Sequence, residues 1–252
     1  MGIIRGMRPT ALISVFVLEL PPGWSPAQDR ATPPAWLEGE DATRYRSMPS
    51  PRRRAEFAAG RLLLGHALAA FAPHLRWRLH APPGQALRIE ALDNGVGAPS
   101  ASLAHSAGLV ACAVSGPRRL GIDLERRGAR RRSLEGLAQA VLHPQERAQM
   151  ARLAPGERTA FLLRCWTLKE ALAKALGQGL ALPFDEFAFE SERLAAAPAY
   201  WSGARQRWRF AHPVAGDDAT LGLAWSTAGE SEEVSLSVEA LPPQRLAALV
   251  AR

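Results

Sequence analysis

Five consecutive residues, Gly121-Ile122-Asp123-Leu124-Glu125, set two carboxylates two positions apart. Side chains alternate between the faces of a β-strand, so Asp123 and Glu125 would share one face and Ile122 and Leu124 the other. Two like charges at that spacing repel unless a cation lies between them. Oxygen ligands of this kind suit Mg²⁺, which is commonly held by one or two carboxylates with waters and substrate phosphates. The plainer reading is an exposed strand face neutralised by Arg126, Arg127 or Arg130. The Asp-x-Glu pair alone leaves both open.

A second segment, Trp166-Thr167-Leu168-Lys169-Glu170-Ala171-Leu172-Ala173-Lys174, carries helical spacing. Trp166, Glu170 and Lys174 form one stripe, while Cys165, Leu168, Leu172 and Leu176 can face a core. As a surface pair, Glu170 and Lys174 would contribute only about 0.2–0.5 kcal/mol. In a functional reading Glu170 is a third metal ligand or a base, and Lys174 contacts a phosphate. A third segment, Ser102-Leu103-Ala104-His105-Ser106, precedes an apolar run. Beside a helix start or a loop its histidine could donate to a phosphate; more often a single histidine is structural.

Elements must hold these segments in place, and the composition says what kind. The 252 residues are 47% hydrophobic and 22% charged, values of a globular rather than a disordered chain. No apolar run reaches the roughly 18 residues that a membrane-spanning helix needs. Cys112 and Cys165 lie far apart with no Cys-x-x-Cys spacing, which argues against a disulfide scaffold or zinc ribbon and for a reducing cytoplasm. Arg5 and Arg8 precede apolar residues 11–18, but Glu19 and Pro21-Pro22 follow, so the stretch reads as a first strand and not a signal peptide. Among 31 basic residues only Lys169 and Lys174 are lysines.

A Pro-rich loop over 21–34 leads to a long helical pattern over 51–71, with Phe57, Leu64, Leu68 and Phe71 on one side and Arg52-Arg53-Arg54 at its start. Strand-like runs follow at 75–79, 86–91, 109–114 and 120–124, separated by turn signals at 82–84, 93–95 and 116–117. The second part repeats this grammar. Helical stretches over 133–153 and 157–176 end at Gly177, strand-like runs fall at 187–190, 208–211, 221–225 and 234–238, and a short helix covers 243–250. A long helix followed by antiparallel strands, twice, predicts an α+β fold of two similar, pseudo-symmetric halves, 1–118 and 119–252.

Taken in order, the three segments resemble the signature of the 4′-phosphopantetheinyl transferases of the two-domain, surfactin-synthetase-activating type. That signature is a Ser-His-Ser-like segment, then Gly-Ile-Asp-x-Glu, then Trp-x-x-Lys-Glu-Ala/Ser followed by a lysine. Here these are Ala104-His105-Ser106, Gly121 to Glu125, and Trp166 to Ala171 with Lys174. Gly177-Gln178-Gly179-Leu180 resembles the family's Gly-x-Gly-Leu element, and Arg54-Ala55-Glu56-Phe57-Ala58-Ala59-Gly60-Arg61 its Arg-rich helix start. Against the family's Gly-Lys-Pro, the nearest match is Gly97-Ala98-Pro99, without the lysine.

The resemblance implies a cytoplasmic holo-carrier-protein synthase that moves the phosphopantetheine arm of coenzyme A to a carrier-protein serine and releases 3′,5′-ADP. It implies that Asp123, Glu125 and Glu170 hold Mg²⁺, and that Lys169 and Lys174 supply cations to the pyrophosphate. It makes Glu170, or a metal-bound water that Glu170 orients, the acceptor of the serine proton, and assigns His105, Arg54 and Arg61 to the 3′-phosphate of coenzyme A. It also implies an acidic acyl or peptidyl carrier as partner, and two tandem halves suit a monomer with its active site between them. The rival class is a basic nucleic-acid-binding protein, permitted by the pI near 10.5 and the arginines of 52–54 and 126–132. The sequence holds no zinc finger, RNA-recognition or basic-zipper pattern, and the acidic residues would repel phosphate without a metal.

Overall fold

The computed structural model describes residues 11–27, 29–82, 87–93, 97–128, 134–189, 207–214, 216–227 and 232–251. Arg130 to Arg132, Glu190 and parts of the turns at 82–84 and 93–95, all singled out above, lie outside them.

The fold is α+β. Strands β1 (Ala11–Glu19), β4 (Ser100–Ser106), β5 (Leu109–Ser115) and β9 (Val234–Leu241) form one sheet in the order β4-β5-β1-β9. β6 (Leu120–Arg126), β7 (Arg207–Ala211) and β8 (Ala219–Thr227) form an antiparallel sheet in the order β6-β8-β7, and β2 (Trp77–His80) pairs with β3 (Arg88–Ala91) as a hairpin. The two larger sheets face each other through Ile13, Val15, Val17, Ile122, Leu221 and Leu223, all buried. Helix α2 (Pro51–Phe71) covers the outer face of the first sheet, where Leu63, Leu64 and Leu68 meet Phe16, Leu18 and Cys112. Helix α5 (Pro155–Leu176) covers the outer face of the second, packing Leu168 and Leu172 with Trp208, Phe210 and Ala224.

The structure differs from the sequence expectation at several elements. The first sheet is mixed, because β9 runs parallel to β1. The closing helix α6 (Arg245–Val250) buries Leu246 and Leu249 in the α2 core, so the tail of the 119–252 segment joins the N-terminal layer. The stretch over 133–153 is two helices, α3 (Leu134–Val141) and α4 (Pro144–Arg152). Pro144 cannot continue a preceding helix, and His143 with Glu146 builds a capping box that starts a new one. A further helix, α1 (Gly39–Ser47), stands ahead of α2 and had no clear periodic signal.

Residues 187–189 are not a strand. The carbonyls of Phe184 and Phe187 accept hydrogen bonds from Lys169 Nζ, at 2.6 and 2.8 Å, and no strand ladder takes them.

Candidate active site

Alternation along β6 does what the spacing required. Ile122 and Leu124 point into the core between the sheets, while Gly121, Asp123 and Glu125 take the face under α5. Glycine makes that approach possible. A Cβ on Gly121 would overlap the carbonyl of Ala171, and one on Gly222, paired with Asp123 across the ladder, would overlap the backbone of Thr167. The helix backbone therefore rests directly on the sheet beside the acidic residues.

One stripe of α5 reads that face. Trp166 Nε1 donates to Glu125 Oε1 at 2.9 Å. Two turns on, the Lys174 ammonium donates to Asp123 Oδ1 at 2.8 Å, the carbonyl of Ile122 at 2.9 Å and that of Leu103 at 3.4 Å. Glu170, half-buried, lies between them on the same stripe. Ser106 Oγ donates to Glu125 Oε2 and accepts from the Arg126 amide, both at 3.1 Å, which ties β4 to β6.

Burial raises the carboxyl of Asp123 above the usual aspartate range, Lys174 pulls it back in part, and Glu125 adds to the rise. The second oxygen, Oδ2, is buried without a hydrogen-bond partner. An orphaned acceptor on a carboxylate is costly unless a cation or donor meets it. The donor set here, two carboxylates on one strand face with a third on the facing helix stripe, is hard oxygen and fits Mg²⁺. Among the described residues, however, no three His, Cys, Asp or Glu side chains are gathered as a ligand cluster. Lys174 occupies one oxygen of Asp123, and Trp166 and Ser106 engage Glu125.

Above this junction opens a cavity of about 1050 Å³. Its walls come from both layers: α2 and β4 on one side, the C-terminal end of α5 and the end of β8 on the other. Lys174, His105 and Arg61 line it, with Arg44, Arg88, Arg118 and Arg119. Arg61 forms a bidentate pair with Asp41 at 2.8 and 2.9 Å and lies 4.6 Å over the Phe57 ring, so its fork is held rigid. Burial and then the neighbouring Arg61 cation push the Arg44 guanidinium below its ordinary value, a sign of positive charge crowded at this wall. His105 stands on β4, not at a helix start or loop, with Nδ1 3.0 Å from Glu56 Oε2.

Two residues assigned from the resemblance to coenzyme A lie elsewhere. Lys169 is fully buried; its ammonium donates to Glu146 Oε2 at 2.6 Å and to the carbonyls of Val141, Phe184 and Phe187. Five helical steps of about 100° turn it roughly 140° away from Lys174, so the two lysines leave α5 on different faces and only Lys174 lines the cavity. Arg54 donates to the carbonyls of Met48 and Pro49, sits over the Tyr45 ring, and is not among the cavity walls. Arg44, Arg118 and Arg119 had not been singled out. Only the charge of Arg118-Arg119 just before Gly121 hinted at them.

Comparisons with known proteins place the chain in a family. A family model described as the 4′-phosphopantetheinyl transferase superfamily matches residues 119–224, which span β6, α5 and most of β8. The chain is 33% identical over 181 residues to the 4′-phosphopantetheinyl transferase HetI of Nostoc sp., covering 67% of this chain and 72% of that one. It is 26% identical over 220 residues to a putative 4′-phosphopantetheinyl transferase of Synechocystis sp., covering 84% and 89%. A 4′-phosphopantetheinyl transferase of Bacillus subtilis is 29% identical over 86 residues, covering 34% and 37%. With its acidic strand, lysine-bearing helix and cationic cavity meeting at one junction, the chain belongs to the 4′-phosphopantetheinyl transferase superfamily.

Proposed function

We propose that this chain transfers the 4′-phosphopantetheine arm of coenzyme A to a serine of an apo acyl or peptidyl carrier protein, with Mg²⁺, and releases 3′,5′-ADP. The observation that carries the reading is Lys174. Its ammonium lines the cavity while it is bonded to Asp123, so a pyrophosphate seated there lies against both the fixed cation and the acidic strand.

In the proposed step the serine oxygen forms a bond to the phosphorus that carries the pantetheine. The bond from that phosphorus to the bridging oxygen breaks, and 3′,5′-ADP leaves with the electron pair. Glu170 takes the serine proton. Charge that builds on the phosphoryl oxygens is met by Lys174, already oriented by two carbonyls and one carboxylate. Asp123, Glu125 and Glu170 would hold Mg²⁺, which when bound polarises the pyrophosphate and neutralises charge on the leaving group. His105, Arg61 and Arg44 are assigned to the nucleotide's 3′-phosphate. Lys169 and Arg54 have no part in the step.

A net charge of +7 favours an acidic partner, which suits a carrier protein. Both walls of the cavity belong to one chain, so a monomer suffices. The test is release of 3′,5′-ADP from coenzyme A, followed by chromatography. Release is expected only when Mg²⁺ and an apo carrier are both present. Coenzyme A that stays intact with every acyl and peptidyl carrier tried would refute the reading.

A further inference from the structure

Glu56 is a buried carboxylate that the transfer step does not use. It stands on α2, is 3% exposed, and lines the cavity. Its Oε2 lies 3.0 Å from His105 Nδ1, and its Oε1 accepts from the Gly108 amide at 2.9 Å. Gly108 and Ala107, the turn that joins β4 to β5, are both in the left-handed region, with φ of 85° and 47°. Arg52, one helical turn back and largely exposed, approaches Oε1 only to 3.8 Å. The carboxylate thus spans from α2 to the end of β4, touching the histidine and the turn that follows it.

A buried carboxylate is expensive unless it is paired and hydrogen-bonded. Burial is the largest single influence on Glu56 and would raise its pKa. The hydrogen bonds from His105 and Gly108, with the charges of His105 and Arg52, together outweigh it and hold the group below the usual glutamate range. An ionised carboxylate only accepts. The nitrogen of His105 that faces it must therefore carry a proton; Nε2, on the half-exposed ring, then donates to an anion when it is protonated as well, in the imidazolium form that pairs with the Glu56 charge.

We propose that Glu56 is a positioning residue that fixes the ring of His105 so that Nε2 is presented to the 3′-phosphate of coenzyme A in the cavity. This rests on the reading of His105 given above. A metal-bound carboxyl–imidazole pair uses the same logic, in which the second nitrogen's partner sets the orientation of the first. Here the oriented nitrogen addresses an anion.

The test is calorimetric binding of coenzyme A and of 3′-dephospho-coenzyme A, without carrier, to wild type, Glu56→Gln, His105→Ala and the double variant. Wild type should prefer coenzyme A. Glu56→Gln keeps an acceptor for Gly108 but loses the charge, and should weaken coenzyme A about tenfold while leaving the dephospho form within about twofold. In the double variant the glutamine should add nothing to the loss from His105→Ala. Equal weakening of both nucleotides, or additive losses, would make Glu56 a support of the fold only and overturn the proposal.

Nitrogen-15 histidine spectra separate the two ideas. A wild type indifferent to the 3′-phosphate, with His105 Nδ1 protonated, would sink the ligand assignment, and with it the proposed presentation. An unprotonated Nδ1 in wild type overturns the clamp, whether or not the Glu56→Gln variant folds.

Discussion

Three acceptors surround the ammonium of Lys174, two of them main-chain carbonyls at 2.9 and 3.4 Å and the third Asp123 at 2.8 Å. A compact ammonium carries three donors and matches that set, whereas a planar guanidinium has its donors in one plane on a longer stem. Lys174→Arg keeps the charge but not this geometry, and should lower kcat for transfer by about a hundredfold with the fold intact. Turnover near wild type would make the lysine incidental.

Asp123 gives a test with a different readout. Its folded-state pKa is raised, so its contribution to stability is full below the unfolded value and is lost as pH rises through the folded one. Ionising the buried group therefore costs stability in the metal-free protein. Asp123→Asn should melt no lower than wild type without metal; if the proposed Mg²⁺ site is right, Mg²⁺ should raise the Tm of wild type and not that of the variant. An undiminished Mg²⁺ shift in the variant would remove Asp123 from the metal site. The spacing of Asp123 and Glu125 was legible in the sequence because a strand has only two faces. The orphaned Oδ2 was not, because it depends on where α5 settles.

At the scale of elements, α5 has two working faces. One presents Trp166 and Lys174 to β6, with Glu170 on the same stripe, and the other sends Lys169 into a polar hub formed by the α3–α4 break and the 184–187 segment. Helical periodicity placed the first face correctly. It also separates Lys169 from Lys174 by five steps, but the family pattern drew both toward the phosphates. What the sequence could not show was the hub's acceptors. They are backbone carbonyls and Glu146, and no side-chain pattern announces a carbonyl.

Removing the cation leaves Glu146 buried and uncompensated, at 1% exposure. Lys169→Met should therefore cost about 3–5 kcal/mol in urea unfolding. A loss within the range of an exposed pair would contradict the structural role. The Ser-Ala-rich β4 escaped notice for a related reason: only Ala104 and Ser102 of its side chains are buried, so alternation is faint, and pairing with β5 rather than apolar periodicity makes it a strand. Gly121 and Gly222 were readable only as a motif residue and an interior glycine. Their role as the seat of α5 needs both sheet and helix in place.

For the whole molecule, two helix-on-sheet units were legible from the order of long helix and strands, while the sharing between them was not. β9 completes the first sheet from the far end of the chain, a parallel pairing that local sequence does not encode. The cavity belongs to this scale too, since α2, β4, α5 and β8 each supply a wall. So does the abundance of arginine: side chains from α1, α2, β3 and the β5–β6 connection converge on one opening and make it cationic. On the proposed function, this opening hands the phosphopantetheine arm to a carrier. Intact-mass spectrometry of apo acyl and peptidyl carriers incubated with this protein, coenzyme A and Mg²⁺ tests it most directly. A carrier with its serine should gain about 340 Da and the serine-to-alanine carrier nothing. Carriers of both classes that remain at their apo mass would contradict it.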